Sequence, residues 1–572
     1  MDWVPGVRTV TTYRAGWLQQ DLLAGLALTA MLLPQGMAYA ELAGLPAVTG
    51  IYATMLPLLA YFLFGPSRIL VLGPDSAVSP LVAAAIIPLA GASDAARIET
   101  AGVLALLVGA ILALGAVLRL GFVTDLISKP VRLGYLAGIA VTVLVTQLPV
   151  LLGVQISAGS LVETVDELPL ALGETDMATL AIGGASLIAI LAIRRTAPRL
   201  PGVFIAVVGA TLLVAILGLT DDVAVVGPLP QGLPTFTVPN LSAAELGQLT
   251  LSAFAVALVA FADTSVLSRS YATKLRQSVD QNQELFALGA ANAAAGLFQG
   301  FPLSSSSSRT PVAEAAGART QLTGVVAATA LAIVLVLGAG LTESLPQAAL
   351  GAVVTAAVIG LIDVPALRWL ARVNRVDFAL AVAAFFGVVL LGVLIGIAIA
   401  LGLSTLAFLW RSWHPYDAVL GRVTGRKGYH DVARHPDAAL VPGLLLYRFD
   451  APLFFANAGV FHERLVRAVE EAPHPVRMVV VAAEPITDVD TTAADMLIEL
   501  ARELKEGGVE LAFAEMKGPP KDKLEAYGLL PLIGEPRFYP TVGAAVHAYV
   551  DTSGVEWKDW EDRAGAADGA QT

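Results

Sequence analysis

The chain has 572 residues, of which 56% are hydrophobic and only 14% charged, and its mean hydropathy is +0.73. Soluble globular chains carry about 25% charged residues, so most of this surface must meet lipid or other apolar helices, and a wholly soluble protein is excluded. The absence of cysteine excludes disulfides, thiolate metal sites and cysteine nucleophiles. The formal charge of −12 sits mainly at the C-terminal end, where 12 Lys+Arg face 22 Asp+Glu from Val441 onward. That acidity therefore says little about any solute.

Met1 to Gln20 is polar and aromatic, with Arg8 and Arg14, and lacks a signal-peptide pattern. Residues 1–19 are expected to be a cytoplasmic segment and the first apolar run a retained span. A bilayer crossing needs about 20 apolar residues, fewer where a helix is broken. By that measure the chain carries candidate spans at Asp21–Leu42, Thr49–Phe64, Ser76–Ala90, Ile98–Leu118, Leu133–Leu152, Ala178–Ile193 and Gly202–Leu219. A second set follows at Leu249–Leu267, Gln283–Gln299, Arg309–Ala318, Leu322–Leu341, Ala348–Ile362, Phe378–Leu391 and Gly392–Trp410. This predicts fourteen crossings within residues 20–411.

Basic residues recur in alternate loops, at Arg68, Lys129/Arg132, Arg194/Arg195/Arg199, Lys274/Arg276, Arg319 and Arg368/Arg372/Arg375. The intervening loops are poor in Lys and Arg, and Asp221–Glu245 has none. The positive-inside bias then places both termini in the cytoplasm, with the chain in the cell (plasma) membrane.

Two spans are short and interrupted. Ser76–Ala90 follows Gly73-Pro74, and Arg309–Ala318 follows Pro302 and the serine run Ser304–Ser308. Each is third in a set of seven, and a matched pair of broken helices is the best sequence pointer to a transporter's binding site. A helix that starts inside the membrane offers unpaired amides and partial positive charge, which suits an anion. The serines add hydroxyl donors. Arg309 adds a planar fork, and an intramembrane arginine is functional by default. The competing structural reading pairs Arg309 with Glu314 or Asp263, or lets it snorkel.

Beyond Trp410 the texture changes. Residues 412–441 have the look of a polar linker, and 442–552 of a soluble α/β domain, with strands at Leu444–Phe449, Arg477–Ala483 and Val509–Ala514. Helices are expected at Ala458–Glu471, Thr492–Glu506 and Lys521–Tyr527. Thr492 is the expected N-cap of its helix. Residues 553–572 are expected to form a flexible tail. The histidines show no metal spacing. No Walker motif or other nucleotide loop appears, so neither an ATP-driven pump nor an enzyme is expected.

Several motifs resemble those of the sulfate permease (SulP) anion transporters. Pro34-Gln35-Gly36-Met37-Ala38-Tyr39-Ala40, Gly50-Ile51-Tyr52, Gly65-Pro66-Ser67-Arg68 and Leu72-Gly73-Pro74-Asp75-Ser76-Ala77 carry the first part of the match, and Asn292–Gly300 with Ser308-Arg309-Thr310 the second. Leu453–Ala458 and Asp488-Val489-Asp490-Thr491-Thr492 are similar to the STAS domain that usually follows such a permease. The resemblance implies an α-helical polytopic membrane protein with 14 transmembrane segments in a 7+7 inverted repeat (uracil-transporter-like core and gate domains) plus a small cytoplasmic α/β STAS domain. It implies a homodimer in the lipid bilayer, a small-anion substrate and no nucleic-acid partner, and it leaves room for a regulatory partner at the STAS domain.

By carry-over, Gln35, Tyr39, Ser76, Ala77, Ser308 and Arg309 would bind substrate, while Glu41 and Asp263 would serve coupling to H+ or Na+. No resident cofactor or metal is implied beyond that coupling ion. Asp75 departs from the apolar residue common in relatives; it could cap its helix, and it would repel an anion. The expected function is secondary active transport of small anions (sulfate, bicarbonate or carboxylate class) by alternating access. An uncoupled anion channel or uniporter is the alternative, and a nucleobase symporter on the same fold fits Arg309 less well. Phosphorylation of Thr491 or Thr492 stays open.

Overall fold

The computed structural model describes residues 4–91, 93–122, 128–154, 156, 161–197, 200–239 and 243–557. Arg199 and residues 558–572 of the expected tail lie outside them, while Ser553, the first residue of that tail, ends a helix. The chain divides into two units, Met1–Thr405 and Leu406–Thr572.

The first unit is helical. In chain order it holds α1 (Pro5–Thr11), α2 (Leu18–Leu42), α3 (Ala47–Phe64), β1 (Leu72–Gly73), α4 (Ser79–Ala90), α5 (Asp94–Val117), α6 (Lys129–Leu152), α7 (Leu161–Ala171), α8 (Met177–Thr196) and α9 (Gly202–Leu217). Then come α10 (Ala243–Lys274), α11 (Gln281–Leu297), β2 (Ser304–Ser305), α12 (Arg309–Ala315), α13 (Leu322–Leu337), α14 (Gln347–Ile359), α15 (Val364–Val373), α16 (Arg375–Leu391) and α17 (Val393–Trp413). Eight helical stretches among the described residues are long and apolar enough to cross a membrane, and further apolar helices are shorter. Omitting α1, α7 and α15, the helices supply the fourteen segments, seven from α2 to α9 and seven from α10 to α17.

The packing is internally symmetric. If α2 corresponds to α10, α3 to α11, and so on through the two sets, several of the largest contacts have a counterpart. Helix α5 packs on α11 as α13 packs on α3, and α2 packs on α13 as α10 packs on α5. Likewise α6 packs on α16 as α14 packs on α8, and α2 meets α12 as α10 meets α4. The contacts separate a core group (α2–α5 and α10–α13) from a gate group (α6, α8, α14 and α16), with α2 reaching α9 and α14. Apolar helices gain little by leaving lipid for one another, so close backbone approach must supply the attraction. At the α2–α3 crossing, Gly36 and Gly50 meet so closely that a Cβ on Gly50 would lie 1.8 Å from the Gly36 carbonyl oxygen.

Asp21, in the first turn of α2, closes the core group from a distance in sequence. Its carboxylate accepts from the backbone N–H of Arg319 (2.7 Å) and Thr320 (3.1 Å), and from the hydroxyls of Thr320, Thr323 and Tyr13. Amides leading into α13 thus find partners on another helix.

The second unit is a mixed sheet of order β4-β3-β5-β6-β7-β8, built from β3 (Asp417–Arg422), β4 (Tyr429–Asp431), β5 (Leu444–Phe449), β6 (Met478–Ala482), β7 (Glu510–Ala514) and β8 (Phe538–Tyr539). β5 to β8 run parallel and β3 is antiparallel to both its neighbours. Side chains alternate across the sheet. Leu445, Tyr447 and Phe449 pack with α18 (Ala458–Glu470) and α19 (Thr491–Glu506), whereas Leu444 and Leu446 pack with Val546 and Tyr549 of α22 (Val542–Ser553). Two short helices, α20 (Gly518–Ala526) and α21 (Leu529–Ile533), complete the unit.

Two local expectations change here. The stretch expected to be a linker carries β3 and β4, which belong to the sheet. The N-cap of α19 is Asp490 rather than Thr492: its carboxylate accepts from Ala493 N (2.8 Å) and from Phe455 N (2.8 Å), while Thr491 and Thr492 sit exposed in the first turn. A carboxylate one or two residues earlier reaches the free amides before the hydroxyls can.

Candidate anion site

Two breaks in helix build the site. Proline cannot donate to a helix and disfavours helical geometry in the residue before it. Pro74 and Pro302 therefore leave extended segments before α4 and α12. The segments pair with each other: β1 and β2 form an antiparallel ladder with Leu72 opposite Ser305 and Gly73 opposite Ser304. Side chains complete the backbone pairing. Val71 N donates to Thr310 Oγ1 (3.1 Å), Ser305 N to Thr264 Oγ1 (3.1 Å) and Leu303 N to Asn292 Oδ1 (3.0 Å).

Arg309 lies against this ladder, 0% exposed. Its Nη2 donates to the Pro74 carbonyl at 2.6 Å, while Nε and Nη1 have no hydrogen-bond partner. Gly73 adopts φ +151°, and a Cβ there would stand 2.8 Å from Arg309 Nη1, so only glycine leaves room for the guanidinium. Asp75 and Tyr39 are the groups coupled electrostatically to Arg309, and Tyr39 also lies by Ser76. Gln35, one turn before Tyr39 on α2, is 3% exposed and its Oε1 is unpartnered. Ser76 and Ala77 are buried in the turn that enters α4.

The pairing of Arg309 with Glu314 does not occur, because Glu314 takes Lys274 at 2.7 Å. Asp75 does not cap α4, which starts at Ser79; its carboxylate accepts from Ala77 N at 3.1 Å within the preceding turn. The serine run divides its work. Ser304 and Ser305 form β2, and Ser306 Oγ receives weak bonds from the amides of Ser308 and Arg309. Only Ser307 and Ser308 are exposed. Helix α12 has seven residues. Its dipole is correspondingly slight, so the full charge of Arg309 dominates the local field.

Of the two acids expected to serve coupling, Glu41 lines another cavity, whereas Asp263 lies near Asp75. Glu41 is two residues beyond Tyr39, roughly 200° around the helix. It lines a separate cavity of about 440 Å³ with Arg97, Gln147 and Gln347, between α2 and α5 of the core group and α6 and α14 of the gate group. Asp263, on α10, couples electrostatically to Asp75 and to Arg132 of α6, and has no hydrogen-bond or ion-pair partner among the described residues. Tyr135 of α6, whose buried hydroxyl is unpartnered, feels the charge of Asp263. Neither Tyr135 nor Arg132 stood out as a site residue in the sequence, since a tyrosine in an apolar span carries no distinguishing pattern.

In the second unit, the Asp488 carboxylate receives Lys523 Nζ at 2.6 Å, which holds its pKa below the usual carboxylate value. That bond braces the loop leading to Asp490 without forming a nucleotide pocket.

The model of the sulfate permease family matches residues 18–384, and that of the STAS domain residues 435–545. The chain belongs to the sulfate permease family. A Mycobacterium tuberculosis (strain H37Rv) protein named a probable sulfate transporter is 42% identical over 548 residues, covering 96% of this chain and 98% of the relative. The chloroplastic sulfate transporter 4.1 of Arabidopsis thaliana is 31% identical, covering 98% and 85%. Among solved structures, the murine anion transporter Slc26a9 matches with a TM-score of 0.88 at 23% identity, over 96% of this chain and 94% of that one. The transmembrane domain of the cyanobacterial bicarbonate transporter BicA matches with a TM-score of 0.60 at 22% identity, over 68% and 98%. These likenesses establish the fold of a helical permease followed by a STAS domain, and membership of the family makes the chain a membrane anion transporter.

Proposed function

We propose that this sulfate permease family member is a secondary transporter of small oxyanions, sulfate foremost, which bind at Arg309 between the starts of α4 and α12. The observation that carries this reading is a fully buried guanidinium with two unpartnered donors, Nε and Nη1. Leaving such donors unpaired in a dry interior is costly, and an oxyanion satisfies two of them at once with matching geometry. Tyr39, Ser76 and Ser308 add hydroxyl donors around it, and Gln35 adds an amide.

The division into core and gate groups supports transport by alternating access. The ladder and Arg309 belong to the core group, while Tyr135 and Arg132 approach from the gate. Movement of one group past the other would carry the bound anion between the two membrane faces, in the manner of rigid-body transporters. Asp75 makes anion binding depend on its own charge, since an ionised carboxylate there opposes the guanidinium. Glu41 and Asp263 are the candidates for a coupled H+ or Na+. The protein works as a homodimer in the plasma membrane, with both termini in the cytoplasm, and its STAS domain offers a surface for regulation. The relatives named as sulfate transporters favour sulfate as substrate.

The deciding experiment is uptake into proteoliposomes with a panel of labelled anions, with and without pH and Na+ gradients. Gradient-driven, saturable uptake of sulfate above other anions is the expected result. Uptake that ignores both gradients would move the reading to an uncoupled uniporter or channel.

A further inference from the structure

A second polar cavity, of about 550 Å³, lies between α1 and the core group. It is bounded by α1, the turn between α3 and β1, the turn between α10 and α11, and the entry to α13. Three arginines from three of those segments, Arg8, Arg68 and Arg276, line it, and all three are exposed. None of them has a carboxylate partner among the described residues. Asp280, the remaining charged group in the wall, accepts from Asn282 N at 2.8 Å as the N-cap of α11. The lining is therefore net positive. Its size falls within the range of small-molecule sites, about 300–1,000 Å³.

The cavity is separate from the Arg309 site. Its wall contains no residue of α6, α8, α14 or α16, so an occupant would not block a path between core and gate. Its surroundings point to a membrane component. Trp17 forms part of the wall, and tryptophan gathers at the membrane–water boundary. On α1, Val7 and Val10 flank Arg8 and are 59% and 61% exposed. On α2, the exposed Leu18, Leu22 and Leu26 continue from Trp17 along the helix. A strip of apolar surface thus runs away from the mouth of a basic pocket. That pairing suits a molecule with an anionic phosphate head and hydrocarbon chains.

We propose that this cavity binds the phosphate headgroup of an anionic membrane lipid, with Arg8, Arg68 and Arg276 as the headgroup ligands and the exposed faces of α1 and α2 against the acyl chains. The site ties the N-terminal helix to two loops of the core group. Its occupancy would steady that end of the moving group without touching the transported anion.

The test uses the full-length protein, with phosphatidylglycerol, phosphatidylcholine and inorganic phosphate as probes. Retained lipid is counted by native mass spectrometry after titration in detergent. Selective retention of phosphatidylglycerol is expected, and Arg68→Gln and Arg276→Gln should each weaken it roughly fivefold, the factor carried by one basic side chain near an anionic surface. Arg368→Gln with Arg372→Gln, on α15, should leave it unchanged, and excess inorganic phosphate should not displace the lipid. If the Gln variants fail to fold, Arg68→Lys with Arg276→Lys serves instead. It keeps the charge but loses the bidentate fork, and should weaken retention without abolishing it. Equal losses in the α15 control would reduce the effect to general surface charge and overturn the proposal. So would retention indifferent to Arg68 and Arg276. Binding of inorganic phosphate that depends on the same arginines, with no preference among lipids, would assign the cavity to a soluble anion instead.

Discussion

Arg309 Nη2 donates to the Pro74 carbonyl at 2.6 Å, a contact that joins two residues 235 positions apart, one from each half of the permease. It fixes one arm of the guanidinium, while Nε and Nη1 stay buried without a hydrogen-bond partner. Arg309→Lys keeps the charge but gives up the fork. It is expected to weaken anion binding by about 2 kcal/mol, roughly thirtyfold in apparent affinity. Concentration-dependent uptake in proteoliposomes measures this, and an unchanged half-saturating concentration would remove Arg309 from the site.

Gly73 makes room for that guanidinium. Gly73→Ala combines a disfavoured φ with a contact of 2.8 Å against Nη1, so the arginine must move. Uptake should fall as far as in the Arg309 variant, with a stability loss of about 1–3 kcal/mol. Gly91→Ala also places a side chain at positive φ, but in open space. It should cost stability alone and leave anion affinity intact.

Asp75 should act in the opposite direction. Asp75→Asn removes a negative charge beside the proposed anion site, so apparent affinity should rise by at least about 1 kcal/mol, roughly fivefold. The same uptake titration reads it. A weaker affinity would mean that Asp75 holds Arg309 in place more than it repels substrate.

The separation of Glu41 from Arg309 predicts that binding and coupling can be split. Glu41→Gln should abolish acceleration of uptake by a proton gradient while leaving the half-saturating anion concentration near its original value. Asp263→Asn should do the same for a sodium gradient, if sodium is the coupled ion. Loss of anion affinity in Glu41→Gln would place its cavity on the binding path itself.

Acid should weaken the soluble unit through Asp431. Its carboxylate accepts from the Tyr416 hydroxyl, and with help from Ala433 N and Arg434 this holds its pKa below the usual carboxylate value. A depressed pKa means that the folded form binds a proton less readily than the unfolded form. The contribution is therefore present above the unfolded carboxylate value of about 3.9 and is lost as pH falls through the folded one. Thermal unfolding across this acid range should show Asp431→Asn flattening the pH dependence, with about 1 kcal/mol lost at neutral pH.

Much of this architecture was legible because its signals are local. Pro74 and Pro302 announce the breaks on their own, and the short apolar run Leu444–Phe449 marks a strand that the structure places at those same residues. What escaped was the partner of each local feature. Nothing in the sequence says that Leu72 lies opposite Ser305, or that Asp21 answers amides near Thr320. Such pairings depend on how distant helices pack, and the pattern of neither segment encodes the other. β3 and β4 were missed because Asp417-Ala418-Val419-Leu420-Gly421-Arg422 and Tyr429-His430-Asp431 are short runs set among polar residues, with little apolar periodicity to betray them. The cap of α19 went to Asp490 because two good capping residues stood close together, and only the chain's approach angle decides between them.

The short ladder between β1 and β2 has a consequence for energetics on the two sides of the bilayer. Because each strand belongs to a different half of the permease, main-chain bonds tie the two repeats together beside Arg309. For a solute bound as proposed, the core-group side of its surroundings stays the same whichever way the core faces, and only the gate-group side, with Arg132 and Tyr135, changes. A difference between half-saturating concentrations measured from the inside and from the outside should therefore trace to those gate residues rather than to the ladder.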